Sequence, residues 1–170
     1  MNDLCHRLSR DLDGNFPELV GLLREDIYSG LRRLHPAEAE DLTQETLIRA
    51  YRALAGYEPE RIRQLQLRGW IWTIALNLGR NHARDRARRP QPVEYEDRHP
   101  MTDPEPPDSI AWDRRLRGLP PQQRQAVVLR HVVGLSYPEI AEVVTRPEGT
   151  VKADVHRGLQ KLRQIMEEEQ

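Results

Sequence analysis

Apolar residues recur every three or four positions along most of the chain, which is the spacing of one buried face of an α-helix. In the first half this spacing predicts three helices. Their buried faces are, in chain order, Leu19, Leu23, Ile27, Leu31 and Leu34; Leu47, Ala50 and Leu54; and Leu67, Ile71, Ile74, Ala75 and Leu78. No stretch alternates with period two over a useful length, so we expect an all-α fold.

The second half predicts helices that end in a helix-turn-helix. A short helix over residues 109–117 precedes one that begins at Pro120 and ends at Gly134. Ser136 and Glu139 have capping-box spacing at the start of a helix over 136–144. After a break at 145–147, a helix over 148–163 has an inward face of Val151, Val155, Leu159 and Leu162. These proportions are typical of DNA-binding proteins, although a helical hairpin in another kind of bundle has the same pattern.

The last predicted helix presents side chains that suit DNA. Its amino end offers free N–H groups and the positive end of the helix dipole to a phosphate. Arginine and lysine can contact phosphate or the O6 and N7 atoms of guanine. The candidate DNA contacts are Arg146, Thr150, Lys152, Ala153, His156 and Arg157.

The net charge of -1 conceals blocks of opposite charge. Residues 1–60 have a net charge of -5, residues 61–89 of +7, residues 90–108 of -5 and residues 109–170 of +2. The positive block on the third helix indicates contact with a polyanion such as nucleic acid. An exposed helix in an arginine-rich protein explains the block equally well, since only two of the 26 basic residues are lysine.

A proline-rich acidic segment, residues 90–108, divides the chain. Six of its nineteen residues are proline and six are acidic. Proline removes backbone donors and fixes φ, so neither a helix nor a central strand is expected there. We therefore predict two small domains, residues 1–89 and 109–170, joined by this linker.

Composition and motifs exclude several classes of protein. No run approaches the ~20 apolar residues that span a bilayer. The N-terminus lacks the apolar segment of a secretory signal, so we expect a cytoplasmic protein. The single cysteine, Cys5, can form neither an internal disulfide nor a cysteine-based zinc site. The six histidines are scattered, and there is no phosphate-binding glycine loop or nucleophile elbow, so we expect no enzyme activity, metal or cofactor.

Three segments resemble, in order, the extracytoplasmic-function (ECF) group of bacterial sigma factors. EAEDLTQETLIRAYRAL, residues 38–54, is similar to the core-polymerase-binding helix of that family. LRGWIWTIALNLGRNHARDRARR, residues 67–89, is similar to its –10 and DNA-melting helix. Residues 119–163 resemble its –35-binding domain. The resemblance covers about residues 16–163 and implies a factor that binds core RNA polymerase and promoter DNA and opens the duplex near the start site.

The resemblance implies that an exposed face of the second helix contacts the polymerase β′ subunit. Without it, Glu45 and Arg49 are more simply an ion pair on a solvated face. The implied polymerase-binding residues are Asp41, Gln44, Glu45, Arg49 and Arg52.

The third helix and the connector before it are implied to bind the –10 element. Asn77 would read a base of the non-template strand, and the arginines would hold backbone phosphates. Tyr57 and Trp72 are candidate platforms for unstacked bases, although Trp72 fits a core position equally well. Trp70 is expected in the core. The implied –10 residues are Tyr57, Trp72, Asn77, Arg80, Asn81, Arg84 and Arg88.

The chain departs from the family pattern at two places. The connector over residues 55–68 is a few residues longer than usual, and Ala153 and Asp154 occupy positions where serine and arginine are common. The linker acids Glu94, Glu96, Asp97 and Asp103 are implied to enter the polymerase channel, whereas their composition alone fits a solvated tether.

Two function classes therefore remain. The first is an ECF sigma factor that is a monomer when free and binds the β and β′ subunits of the core enzyme. Such factors are often held inactive by an anti-sigma protein, and the sequence leaves open whether this one is. The alternative is a stand-alone helix-turn-helix regulator, which explains residues 119–163 but not the segments in 38–89.

Overall fold

The computed structural model describes residues 1–88 and 107–169, and every regular element in these two ranges is helical. The helices are α1 (Asn2–Leu8), α2 (Leu12–Leu34), α3 (Ala39–Ala55), α4 (Pro59–Arg63), α5 (Leu67–Arg88), α6 (Pro107–Arg117), α7 (Pro121–Val127), α8 (Tyr137–Val144) and α9 (Glu148–Glu168). A 3₁₀ turn, Pro36–Glu38, precedes α3, and a π-helical turn, Val128–Val132, extends α7. The all-α prediction is confirmed. The linker acids Glu94, Glu96, Asp97 and Asp103 lie outside the described residues.

The N-terminal module, residues 1–88, is built from α2, α3 and α5, which pack together around leucine and isoleucine side chains. The apolar faces predicted for these helices are buried, except that Ile74 is half-buried. Asp11 caps α2 by accepting a hydrogen bond from the Gly14 N–H at 3.0 Å. Helices α1 and α4 are not predicted from the sequence. The connector over 55–66, expected to be irregular, thus contains the short helix α4, which packs against α1.

The C-terminal module, residues 107–169, is centred on the packing of α7 against α9. Gly158 allows this approach, since a Cβ there would lie 2.7 Å from Cγ2 of Val127. The buried face of α9 therefore contains Val151, Val155, Gly158 and Leu162. The inward position predicted for Leu159 is wrong, because its side chain is 40% exposed. The small residue, not the apolar one, occupies the position facing α7.

The predicted helix-turn-helix is present as α8, a three-residue turn and α9. Ser136 and Glu139 form the expected capping box: the Ser136 N–H donates to Oε2 of Glu139 at 2.7 Å, and the Glu139 N–H donates to Oγ of Ser136 at 3.3 Å. Thr145 ends α8 in the left-handed region, with φ of 54°. This conformation turns the chain sharply enough for α9 to begin at Glu148.

The two modules pack on one another and share a continuous apolar core. Helix α5 contacts α8, while α2 contacts α6 and the π-helical turn. Charged groups lie along the same boundary: Oδ2 of Asp113 is 3.1 Å from Arg32, and Oδ1 is 3.7 Å from Arg33. Arg68 donates to the carbonyl of Val133 and pairs with Asp26 at 3.2 Å. Helix α5 is therefore covered on two sides, by its own module and by the other.

Candidate nucleic-acid and protein interfaces

Helix α3 presents the predicted charged face to solvent. Glu45 is half-buried, and its Oε1 accepts a hydrogen bond from Nε of Arg49 at 2.7 Å. On the opposite side, buried Thr43 and Thr46 donate their hydroxyls to the carbonyls of Ala39 and Leu42. No polar side chain of that inner face is therefore left unpaired. The other predicted polymerase contacts are exposed: Asp41, Gln44, Arg49 and Arg52.

An apolar side chain that sequence reasoning missed lies within this charged face. Ile48 is 45% exposed and follows Asp41 and Glu45 at helical spacing, with Arg52 one turn further on. That spacing could have identified it. Fully desolvated apolar groups contribute strongly to protein interfaces, whereas rim charges contribute little. Ile48 gives this face an apolar centre surrounded by charges.

The polar face of α5 is exposed from Asn77 to the end of the helix. Arg84 donates a hydrogen bond to Oδ1 of Asn81, one turn earlier. A shallow groove between α3 and α5 is lined by Arg49, Asn81, Arg84 and Arg88, together with Leu78, His82 and Asp85. The structure thus places one predicted polymerase contact beside the predicted DNA face. The exposed predicted –10 residues of α5 are Asn77, Arg80, Asn81, Arg84 and Arg88.

The two tryptophans of α5 differ in burial. Trp72 is 2% exposed and lies against Gly30 at the module boundary, which is the core position that the sequence left open as the alternative to base stacking, so its ring is not accessible to a base in this arrangement. Trp70, expected in the core, is only half-buried. Its ring centroid lies 6.0 Å from that of Tyr57, with the planes tilted by 58°. The guanidinium of Arg61 lies 3.7 Å above the Tyr57 ring.

These three residues, Tyr57, Arg61 and Trp70, form what we call the aromatic–arginine cluster. Rings and guanidinium planes are the groups on which unstacked bases settle. Sequence reasoning identified Tyr57 but not Arg61 or Trp70, because α4 was not predicted. Trp70 lies in the first turn of α5, and the exposed polar residues of that helix follow it from Asn77 onward.

Helix α9 presents exposed cations on its outward side. Lys152, His156 and Arg157 are exposed, whereas Thr150 and Ala153 are half-buried. Lys152 pairs with Glu148 at 2.7 Å, and this hydrogen bond raises the pKa of the lysine. No side chain of the described residues caps the amino end of α9, where Pro147 is the N-cap.

Arg146, predicted to contact phosphate, is held by an acid of its own module. Its Nη1 lies 2.6 Å from Oδ2 of Asp154, whose side chain is 8% exposed. Arg157 approaches the other oxygen of the same carboxylate at 4.0 Å. Asp154 therefore points inward and holds Arg146 beside the helix-turn-helix turn, whereas Arg157 stays 64% exposed.

An apolar groove lies on the C-terminal module where α6, α7 and α9 meet. Trp112 and Leu159 are each 40% exposed on its walls. Arg33 and Arg163 add positive charge at the edge. Sequence reasoning missed this surface, since Leu159 was placed in the core. The remaining lining residues are Leu116, Val127, His131, Val132, Leu162, Met166 and Glu167.

Residues 1–88 and 107–169 contain neither a metal-binding cluster nor a membrane-spanning helix. Within these ranges no three His, Cys, Asp or Glu side chains are grouped as a metal site would require. No helix in the same ranges has the length and hydropathy needed to cross a membrane.

Comparison with known proteins adds independent evidence. Residues 19–89 match the family model Sigma-70 region 2, and residues 109–162 match Sigma-70, region 4. The chain is 38% identical over 165 residues to the ECF RNA polymerase sigma factor SigE of Mycolicibacterium smegmatis, covering 89% of this chain but 62% of SigE. It is 33% identical over 144 residues to the RNA polymerase sigma-H factor of Pseudomonas aeruginosa, covering 75% of this chain and 72% of that one.

Solved structures agree with these matches. The sigma factor RpoE of Bartonella quintana, solved in complex with the anti-sigma factor NepR, superposes with a TM-score of 0.75 at 25% identity, covering 90% of this chain and 97% of that one. CnrH, solved with the cytosolic domain of CnrY, shares the fold with a TM-score of 0.74 at 20% identity, covering 99% of this chain and 98% of that one. The matched regions, the identity to SigE and sigma-H, and the shared fold together show that this chain belongs to the ECF sigma factors of RNA polymerase.

Proposed function

We propose that this chain directs core RNA polymerase to promoters through three separate surfaces. The face of α3 binds the polymerase, α5 with the aromatic–arginine cluster binds the –10 element, and α9 binds the –35 element. The observation that carries the proposal is that α3, α5 and α9 each present a solvent-exposed polar surface while packing their apolar faces inward. A sigma factor needs all three surfaces accessible on one chain.

Polymerase docking uses charge for orientation and apolar area for affinity. On α3, Asp41 and Arg52 flank the exposed Ile48, a pattern that suits a partner with both charged and apolar groups. The apolar groove around Trp112 and Leu159 supplies a second docking site on the C-terminal module. Two anchors on two modules let the polymerase fix how far apart the DNA-binding helices lie. We assign the α3 face to the β′ subunit and the groove to the β subunit.

At the –10 element, duplex opening requires a place for bases that leave the stack. Tyr57 and Trp70 offer half-exposed rings, and stacking contributes about 1–3 kcal/mol per base. Asn77 follows on the same helix and reads a base edge with its amide. Arg80, Arg84 and Arg88 hold phosphates and supply affinity without sequence information.

At the –35 element, α9 enters the major groove of the duplex. Lys152, His156 and Arg157 face outward to contact bases and phosphates, with Thr150 near the amino end. Arg146 remains next to the turn because Asp154 holds it, so it contacts a flanking phosphate from a fixed position. Ala153 leaves room for the approach of the groove and supplies only an apolar contact.

The same proposal covers the remaining properties of the chain. It acts in the cytoplasm as a monomer when free, catalyses no reaction itself and needs no metal or cofactor. The sigma factor RpoE was solved with the anti-sigma factor NepR, and CnrH was solved with the cytosolic domain of CnrY. We infer that an anti-sigma protein also regulates this chain by covering the α3 and DNA-binding surfaces.

In vitro transcription with core polymerase tests the proposal directly. Purified chain added to core enzyme should select start sites on a genomic promoter library, whereas core enzyme alone should not. A gel-shift assay separates the stand-alone regulator, which binds DNA tightly by itself, from a sigma factor, which needs the core enzyme. Failure to bind core polymerase, or binding without start-site selection, would refute the function.

One variant tests the –10 surface within that assay. Asn77→Ala should reduce promoter-specific initiation and leave core affinity unchanged, because Asn77 is exposed on α5 and α3 carries the polymerase face. Ile48→Ala is the matched variant and should weaken core affinity. An equal loss of core affinity in both variants would contradict the division of roles between α3 and α5.

A further inference from the structure

Helix α4 gives the aromatic–arginine cluster its geometry. Arg61 belongs to α4, Tyr57 lies two residues before it, and Trp70 lies near the start of α5. Both rings are half-buried and pack against the core, and the guanidinium of Arg61 covers one face of Tyr57. The positions of Tyr57 and Arg61 relative to Trp70 therefore depend on what α4 packs against.

The support beneath α4 comes from α1. Ile62 of α4 is 4% exposed, and α1 packs against α4 with its apolar side chains Leu4, Cys5 and Leu8 buried. The thiol of Cys5 donates a hydrogen bond to the carbonyl of Leu65 at 3.5 Å, between α4 and α5. The ordinary pKa of a thiol already lies above neutrality, and burial raises the pKa of Cys5 further, so the thiol remains a donor.

Helix α1 is itself fastened to the long helix α2. Arg7 donates two hydrogen bonds to the carboxylate of Glu18, at 2.5 and 2.7 Å, in a forked arrangement. Nδ2 of Asn15 also donates to the carbonyl of Arg7 at 3.3 Å. A chain of contacts thus runs from α2 through α1 to the carbonyl of Leu65. Helix α1 precedes residue 19, where the match to Sigma-70 region 2 begins.

We propose that α1 is a positioning element that sets which unstacked base the aromatic–arginine cluster accepts at the –10 element. This inference rests on the proposed promoter function of the chain. Helix α4 lies within the connector, and α1 holds it in one position. Loosening α1 lets Tyr57 and Arg61 shift relative to Trp70, so that the cluster discriminates less between bases. Polymerase binding should be unaffected, because the α3 helix that binds the polymerase packs mainly on α2 and α5 and not on α4.

Two variants weaken the support without removing the cluster. Arg7→Ala removes the fork to Glu18, and Cys5→Ala removes the donor to Leu65. Arg10→Ala is the matched control for Arg7→Ala, because it removes one positive charge from an exposed side chain of the same segment. Cys5→Ser is the control that keeps a donor at position 5.

The measurement is in vitro transcription by the full chain with core polymerase on promoters randomised in the –10 element. Arg7→Ala and Cys5→Ala should lower the ratio between the preferred base and the next one by about three- to tenfold at one position. Arg10→Ala should leave this ratio unchanged, and Cys5→Ser should restore most of it. Tyr57→Ala should lower the same ratio, and adding Arg7→Ala to it should lower it no further.

The outcomes separate this inference from the function on which it rests. A uniform loss of transcription from all promoters in Arg7→Ala and Cys5→Ala, with the base ratio intact, would make α1 a stability element only and overturn the inference. An unchanged base ratio in Tyr57→Ala would overturn it as well, while start-site selection by the wild-type chain would keep the sigma function. A wild-type chain that selects no start site would overturn both.

Discussion

Gly30 of α2 lies directly against the ring of Trp72 of α5. A Cβ built on Gly30 would lie 2.8 Å from Cζ2 of Trp72 and 2.9 Å from Cγ2 of Val133. The first of these atoms belongs to the N-terminal module and the second to the C-terminal module. A single glycine therefore allows the tryptophan to enter the boundary where the two modules meet.

This contact predicts opposite effects for two glycines of the same helix. Gly30→Ala should destabilise the protein by about 1–3 kcal/mol, because a methyl group overpacks the space next to a rigid ring. Gly21→Ala should stabilise it by about 0.5–1 kcal/mol, since nothing lies within 4 Å of the added Cβ and alanine favours the helix. Urea unfolding of both variants measures these differences.

Scattering in solution adds a second readout for the same pair. Gly30→Ala should increase the radius of gyration of the free chain, because the overpacked boundary favours separation of the modules, while Gly21→Ala should leave it unchanged. Equal stability and equal size for both variants would show that Trp72 can move away from Gly30 without cost.

The Trp72 environment also shows where sequence reasoning reaches its limit. The stripe Leu67, Ile71, Ala75 and Leu78 was predicted from spacing alone and is buried as expected. Residues 70 and 72 flank that stripe on either side, so the local pattern cannot decide which one is covered. The C-terminal module covers the side of α5 on which Trp72 lies, and this contact between modules cannot be inferred from the sequence of α5 alone.

Short elements were missed for a related reason. Helix α1 has seven residues and α4 has five, and helices of this length are not stable alone in water. Their buried side chains find partners on helices distant in sequence. The hydropathy of Leu159 predicts burial, but this residue is exposed. The close approach of α7 to α9 instead places the smaller Gly158 in the contact between the two helices. The exposed charged faces of α3 and α5 were predictable, since they follow from the opposite, apolar faces.

Removal of the capping box at α8 should destabilise the C-terminal module. Ser136→Ala should cost about 1 kcal/mol, because the Glu139 N–H loses its acceptor and the start of α8 frays. Thermal unfolding monitored by circular dichroism measures the change. Ser136→Thr keeps an N-cap hydroxyl and should lose less than half as much; an equal loss in both variants would mean that the cap is not the cause.

The Asp154 carboxylate should have opposite effects on stability and on DNA affinity. Asp154→Asn should destabilise the protein by about 1–2 kcal/mol, since a mostly buried carboxylate loses its charge-assisted bond to Arg146. The same change removes a negative charge beside the DNA-binding helix and releases Arg146, so non-specific affinity for duplex DNA should rise and depend more steeply on salt. Fluorescence anisotropy at two salt concentrations measures the affinity.

Glu148→Gln is the matched control for this prediction. Glu148 belongs to the same helix and pairs with Lys152, but its side chain is exposed. Glu148→Gln should change the free energy of unfolding by less than about 0.5 kcal/mol, although it removes one negative charge just as Asp154→Asn does. If Asp154→Asn were as stable as Glu148→Gln, the buried pair would not hold the turn in place.

His35 should make stability depend on pH just below neutrality. It packs against Gly79, and burial lowers its pKa, helped by the nearby positive charges of Arg124 and Arg86 and by His82. The unfolded histidine titrates near pH 6.5. Between that value and the lower folded pKa, the unfolded chain binds more protons than the folded one, so stability should fall as pH falls through this window.

Urea unfolding between pH 7.5 and 5 tests this prediction, with a slope of at most about 1.4 kcal/mol per pH unit from one group. The exposed carboxylates of Glu18, Glu60 and Glu169 have pKa values lowered by their arginine partners, so their contribution is lost only at more acidic pH. His35→Gln should flatten the profile, whereas His156→Gln, which changes an exposed histidine, should not. If His35→Gln kept the same steepness, another group would cause the pH dependence. Protonation of His35 between α2 and α5 would then not lower the free energy of unfolding.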